Sequence, residues 1–457
     1  MTQKELQHLY WRAGFGWYPT NYNGFTKDRK QVVNALFEDS QSITPIELDF
    51  SYLEGVDPND LKKFPSLAKG IQEKSQKRIL ELNYAWVKRL IFPNELLRER
   101  MTLFWANHFV CRDRHPLHMQ KYNNTLRYYA LGDFREFTKA ISKEVAMLKY
   151  LNGKQNRKRK PNENFARELM ELFTLGEGHY TEKDVKESAR AFTGYSHNFK
   201  GEFIFRKLQH DYGFKTFLGK TARFDGDDII DEILSNKQCA RFICSKVYRY
   251  FVNPKPNKTH IEAMTNVFFK DYNIENLMRF VFMSDWFYAE ENIGSKIKSP
   301  IEFLVGIANT VPVKFERDKD LLVIQRLLGQ MLLDPPNVAG WKGDKAWIDA
   351  NTIMIRLKLP SVLLNNALIS LKEYGDFNDK FREEYFKRSK DKLPFKTLPD
   401  WDAFLKNFKT IETKNLSEVL IQGQINKGTA EYLKTLSKAS KRDYCIQLMS
   451  LPEYQMC

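Results

Sequence analysis

The sequence predicts a mainly α-helical protein, a multi-helix globular body with one small β-hairpin and a helical C-terminal extension. Three observations carry that class. Apolar residues recur at three- and four-residue spacing along most of the chain. Strand-like and helix-like segments do not alternate as a parallel sheet would require. The 457 residues are 42% apolar and 14% aromatic, which gives a large core to bury and excludes a disordered chain.

In order, Gln3 to Ala13 is the first predicted helix, with Leu6, Leu9 and Tyr10 on one face and Gly14-Phe15-Gly16 as its stop. Leu67 to Ile91 is a long helix ended by Pro93, and Glu95 to Phe109 resumes the period. Lys121 to Leu131 and Phe134 to Lys143 follow, then two acidic helices, Asn162 to Gly176 and Thr181 to Thr193. The hairpin is expected to pair Glu202 to Arg206 with Thr216 to Leu218 through His210-Asp211-Tyr212-Gly213. Further helices are predicted at Asp227 to Leu234, Ala240 to Phe251, Ile261 to Phe269, Pro300 to Asn309, Lys319 to Leu333 and Ala346 to Leu359. Pro360 is expected to break the last of these from Ser361 to Ile369. Residues 1–370 therefore read as the main body, 371–400 as a charged linker and 401–457 as a helical extension packed on the body. Gly153 to Asn162, with Arg157-Lys158-Arg159-Lys160 in sequence, reads as a solvated insertion.

Charge and cysteine narrow the function classes. The 72 Lys and Arg outnumber 57 acids for a net +15, but they are spread along the chain with no nucleic-acid module, so nucleic acid is a poor partner. Five Cys with no CxxC argue against a disulfide framework or a zinc ribbon. The first residues lack a signal-peptide core, and no run reaches the length of a transmembrane segment, so a cytoplasmic protein is expected. A glycine-rich phosphate loop and a nucleophile elbow are both missing from the sequence.

The densest chemistry lies on the acidic helices. Glu168 and Glu171 sit three apart on the first, and Asp184 and Glu187 three apart on the second. The short Glu177-Gly178-His179-Tyr180 connection makes the helices antiparallel neighbours, so the four carboxylates are expected to converge as ligands for a divalent metal. His108 or His210, with Asp211 beside it, would complete the shell or serve acid–base chemistry. The Glu-x-x-His motif of di-iron bundles is absent, which counts against that chemistry. The competing reading is a salt-bridge lattice, Glu168 and Glu171 neutralised by Arg167, Arg190, Arg98 or Arg100. Asn107 is placed to set the His108 tautomer. His8 and Arg12 share one face of the first helix, and Asp225 is a predicted N-cap. His115, His118, His197 and His260 are expected at the surface. Asp334-Pro335-Pro336-Asn337 is a stiff turn, and Trp341, Trp347 and Arg356 around it suit a lid or a partner surface, with packing ranked first for both tryptophans.

Several stretches, in order, resemble the bacterial family catalogued as domain of unknown function 1800. They are His8 to Gly16, Arg98-Glu99-Arg100-Met101, Phe104-Trp105-Ala106-Asn107-His108-Phe109, Asn162 to Gly176, and Tyr180 to Val185. His210 to Gly219, Phe224-Asp225-Gly226-Asp227-Asp228, Asp334 to Trp341 and Trp347-Ile348 continue the likeness. The resemblance implies a mostly helical bacterial protein without an established activity. It also implies gene neighbourhood with the domain-of-unknown-function 1501 family, which is phosphatase- or sulfatase-like, and export together with such a partner is left open. Two functions follow as expectations. One is a metal-dependent enzyme acting on a polar or anionic substrate between the acidic helices. The other is a non-catalytic partner or scaffold of that neighbour. Binding of a polyanion by the basic surface ranks behind both.

Overall fold

The computed structural model describes residues 1–16, 28–198, 200–365 and 395–457. Helices dominate, joined by three two-stranded antiparallel sheets, and a single continuous hydrophobic cluster runs through the described residues. Gln3–Ala13 and Phe134–Lys143 take the predicted bounds. Each has a strong start: Thr2 and Glu5 form a capping box, and the Asp133 side chain accepts from Glu136 N. The long helix is Pro65–Ile91, followed by Leu96–His108 and Pro116–Tyr129.

Pairing in the hairpin region differs from expectation. Tyr195–His197 (β1) pairs with Phe203–Phe205 (β2), and Lys215–Phe217 (β3) pairs with Lys220–Ala222 (β4). The two predicted strands exist, but each takes its nearest neighbour in sequence. Leu218 and Gly219 have φ of 47° and 81°, the two-residue turn that matches strand twist, so β3 closes on β4 and is not free for β2. A third pair joins Val313–Phe315 (β5) to Thr397–Pro399 (β6).

Pro360 does not break its helix, which runs Ala350–Asn365. The predicted Lys319 to Leu333 helix is shorter, Asp318–Leu328, because Gly329 adopts the left-handed conformation (φ 87°) and terminates it. Most of the predicted 371–400 linker, and the last residues of the predicted Ser361 to Ile369 helix, lie outside the described residues. The segment from 395 onward joins the common core. Tyr454 lies against Trp11 and Phe303, and Arg356 donates to Gln455 Oε1 at 2.8 Å. No helix among the described residues is long and apolar enough to cross a membrane.

Candidate functional site

A cavity of about 400 Å³ opens between the end of Leu96–His108, the Lys237–Phe251 helix, the Lys296–Ser299 segment and the loop that carries Trp341 and Trp347. Among the described residues, three cations line it, Lys246, Arg249 and Lys296, and Asp344 is the single acidic side chain on its wall. Lys246, Arg249 and Tyr250 fall three and four residues apart, so one helix face delivers all three.

His108 and Lys246 are coupled through an irregular helix. Asn164–Glu168 continues as a π-helical turn, Leu169–Thr174, in which Leu175 N and Gly176 N both donate to Met170 O. Such turns leave carbonyls without their usual partners and recur at functional sites. Here Phe173 O accepts from His108 Nε2 at 3.0 Å, and Leu172 O accepts from Lys246 Nζ at 2.7 Å. A carbonyl only accepts, so His108 carries its proton on Nε2 and turns the Nδ1 lone pair toward Lys246 Nζ, 3.3 Å away. Burial, then the Lys246 charge, holds the His108 imidazole well below its ordinary pKa and keeps it neutral. Burial also lowers the Lys246 ammonium to about 8. The tautomer is therefore set by the π turn and not by Asn107 as expected. Asn107 instead clamps the facing loop, donating to Trp341 O (3.1 Å) and accepting from Trp341 N (2.8 Å).

Behind the cavity lies a buried cationic layer of Arg12, Arg100, Lys296, Lys298 and Arg356. Among the described residues, Glu302 is the only carboxylate that pairs with any of them, contacting Arg100 and Lys296 and accepting from Ser299 N. Burial would raise the Glu302 carboxyl, but Arg100 and Lys296 outweigh it and hold the group far below the carboxylate range. The rest use neutral partners. Arg12 donates to Asn292 O, Lys298 to Tyr454 O between the rings of Trp11 and Tyr454, and Arg356 to Lys298 O. Desolvation brings Lys296 down to about 8 and Lys298 to about 7. Attraction from Glu302 and from Cys457 reaches all five cations, so two acidic groups face five positive ones, and Lys296 opens the layer to the cavity.

The acidic helices are adjacent, but their four carboxylates face different neighbours. Glu168 and Glu171 lie together, and burial followed by the Glu171 charge raises the Glu168 carboxyl. Tyr180 Oη donates to Glu171 at 3.0 Å. Asp184 closes a capping box with Thr181, as the sequence suggests, and its Oδ1 accepts from Leu218 N at 2.8 Å. Glu187 Oε2 accepts from Thr216 N at 3.0 Å. Asp184 and Glu187 are therefore the anchors of β3. Among the described residues, no group of three or more His, Cys, Asp and Glu side chains has an arrangement that could hold a metal ion. Nor do the arginines form the expected lattice. Arg167 pairs with Glu163 and Glu182, Arg190 with Glu187 and Asp211, Arg100 with Glu302, and Arg98 donates to backbone carbonyls of Ser40 and Arg127. Asp184→Asn is expected to lower stability by about 1–3 kcal/mol, because it weakens both the cap and the bond to Leu218. Urea unfolding checks the loss, and hydrogen exchange at Leu218 and Thr216 should quicken with it.

A family described as a protein of unknown function, DUF1800, matches residues 8–456. The chain belongs to the DUF1800 family. No curated protein and no solved structure matches it. The family stretches now have positions. Phe104 to Phe109 supplies His108 and one wall of the cavity, and Asn162 to Gly176 supplies the π turn behind His108 and Lys246. Asp334 to Trp341 forms the opposite wall, where Gly340 (φ 77°) allows the loop to close on Asn107.

The other predicted residues sit elsewhere. His210 is buried, with Nδ1 2.8 Å from Thr193 O, and Asp211 is held by Arg190 Nε at 2.7 Å. His8 is buried against the rings of Phe287 and Tyr288, and Arg12 belongs to the cationic layer. Asp225 caps the Gly226–Ser235 helix as expected. His118 is not at the surface: it is buried and 2.8 Å from Asp113, whose carboxyl burial would raise but His118 and Lys149 lower to about 2. Lys246, Arg249, Tyr250, Lys296 and Glu302 were missed. The Lys246, Arg249, Tyr250 spacing was the signal available, but on an amphipathic helix it reads as a solvated edge.

Proposed function

We propose that this DUF1800 protein binds a small anionic substrate in the cavity, with His108 and Lys246 as its proton-handling pair. The observation that carries this reading is the excess of positive charge: Lys246, Arg249 and Lys296 face the cavity, and Lys296 belongs to a buried layer that also holds Arg12, Arg100, Lys298 and Arg356. A low-dielectric wall strengthens the field of such groups and concentrates anions at the opening. A carboxylate, sulfate or phosphate group would accept from Lys246, Lys296 and Arg249 in charge-assisted hydrogen bonds. A lysine near pKa 8 beside a neutral imidazole can pass a proton at neutral pH, which is what acid–base chemistry on a bound anion needs.

This keeps the expectation of an anionic substrate and moves the chemistry from the acidic helices to the cavity. The expected phosphatase- or sulfatase-like partner fits the same chemistry, since its esters and products are anions. Five free, buried cysteines agree with action in a reducing, cytoplasmic setting. A thermal-shift series with sulfate, phosphate and short-chain carboxylates tests the reading. At least one anion is expected to raise the melting temperature of the protein and not that of Lys246→Met. Equal shifts in both proteins, or none in the wild type, would refute it.

A further inference from the structure

The loop between β2 and β3 is fixed from behind and apolar in front. Lys215, itself buried, donates to Asp211 O at 2.6 Å and Gly213 O at 3.1 Å. Arg190 holds Asp211 and also donates to Phe214 O, while Thr193 Oγ1 accepts from Asp211 N at 2.8 Å. His210 packs between Phe205 and Tyr212, with ring centroids 5.0 and 4.6 Å away. This buried polar scaffold holds three apolar side chains in water: Leu208 is 88% exposed, Tyr212 58% and Phe214 63%. A rigid loop that keeps large apolar groups exposed marks an interaction site, because burial elsewhere would otherwise be favoured.

Basic side chains surround the loop. Arg157, Lys158, Arg159 and Lys160 are all exposed, and Lys158 N donates to Gln209 O, which ties the basic turn to the apolar loop. A groove of about 670 Å³ runs between them, lined by Arg157 to Asn162 on one side and Leu208 and Gln209 on the other. Lys207 is exposed beside it. Four acids near the loop are engaged within the chain: Asp211 and Glu187 pair with Arg190, Glu163 pairs with Arg167, and Asp225 accepts from the backbone of the helix it caps.

We infer that this patch docks the protein on an anionic lipid surface, with Leu208, Tyr212 and Phe214 entering the interfacial region and Arg157 to Lys160 seated among headgroup phosphates. The patch offers a partner three apolar tips beside a run of four exposed cations. Lipid headgroups and acyl boundaries ask for that combination. Peripheral docking needs no spanning helix. It is also separate from the cavity, whose residues it does not use.

Vesicle co-sedimentation tests it, with phosphatidylcholine alone and with equal phosphatidylcholine and phosphatidylglycerol. The protein is expected to bind the mixed vesicles at low salt, to leave the neutral ones, and to weaken as salt rises. The double variant Leu208→Ser, Tyr212→Ser and the charge variant Arg157→Glu, Arg159→Glu should each lose at least tenfold in vesicle affinity. All four positions are exposed, and of them Tyr212 packs on the buried His210 ring, so the melting temperature should fall by no more than a few degrees in the first variant and stay unchanged in the second, with helical circular dichroism intact in both. Failure to bind mixed vesicles, or equal binding by both variants, overturns the inference. Binding of an acidic, leucine-containing peptide in place of vesicles overturns it too, in favour of a protein partner. None of these results bears on anion binding in the cavity.

Discussion

Glu302→Gln is expected to cost about 3–5 kcal/mol of stability at neutral pH, a large share of the roughly 5–15 kcal/mol that holds a domain folded. The substitution keeps the shape and removes the single carboxylate that pairs with Arg100 and Lys296. Both cations would then be left uncompensated in a buried layer that already holds Arg12, Lys298 and Arg356. The pH dependence has a definite sign. The folded Glu302 pKa lies below its ordinary value of 4.5, so its stabilisation is complete above about pH 4.5 and is lost as pH falls toward the folded value. Wild type and variant should therefore differ most at pH 7 and converge in acid. Urea midpoints at pH 7 and at about pH 2.5, well below the unfolded value, check both statements, and a loss below about 1 kcal/mol at pH 7 would show that the layer is not held by this carboxylate.

Gly340→Ala is the second substitution with a large expected effect. Gly340 has φ of 77°, and a Cβ there would lie 2.2 Å from Asn107 Oδ1 and 2.9 Å from a Val110 methyl. Left-handed strain adds about 1–2 kcal/mol to that clash. Relief requires the loop to leave Asn107, which breaks the two bonds to Trp341 and opens the cavity wall. Stability should fall by about 2–4 kcal/mol in denaturant titration, and anion binding should weaken with it. An alanine variant with unchanged stability and binding would mean that the loop does not close the site.

How far the sequence disclosed this structure depended on where the controlling forces act. Gln3–Ala13 and Phe134–Lys143 were legible to the residue because capping and periodicity are local, and the cap at Asp225 was legible for the same reason. Strand partners were not, since three-residue strands carry little pattern and their pairing is decided by a tight turn at Leu218 and by anchors at Asp184 and Glu187. Those two carboxylates looked like metal ligands because spacing on a helix does not reveal which backbone N–H group waits opposite. The cavity was hidden more deeply. His108, Lys246, Lys296 and Trp341 come from four separate stretches of the chain, and only the tertiary fold brings them around one cavity. Of these His108 and Trp341 stood out, and the π turn that fixes the His108 tautomer left no mark in the sequence beyond a continuous helical period.

The central claim is that the cavity is an anion site that depends on the charge of Lys246. Calorimetric titration with sulfate and with short-chain carboxylates, at pH 7.0 and 9.5, measures this most directly, since the charge of these ligands does not change between the two values. The Lys246 ammonium loses its proton as pH rises through about 8, and Lys296 does so near the same value. One-site binding at pH 7.0 is expected, falling at least tenfold at pH 9.5. The same loss should appear at pH 7.0 in Lys246→Met, because one charge-assisted hydrogen bond contributes about 1.5–3 kcal/mol, or roughly 10- to 150-fold in affinity. No binding at pH 7.0, or binding that survives both the pH change and Lys246→Met, would contradict the account.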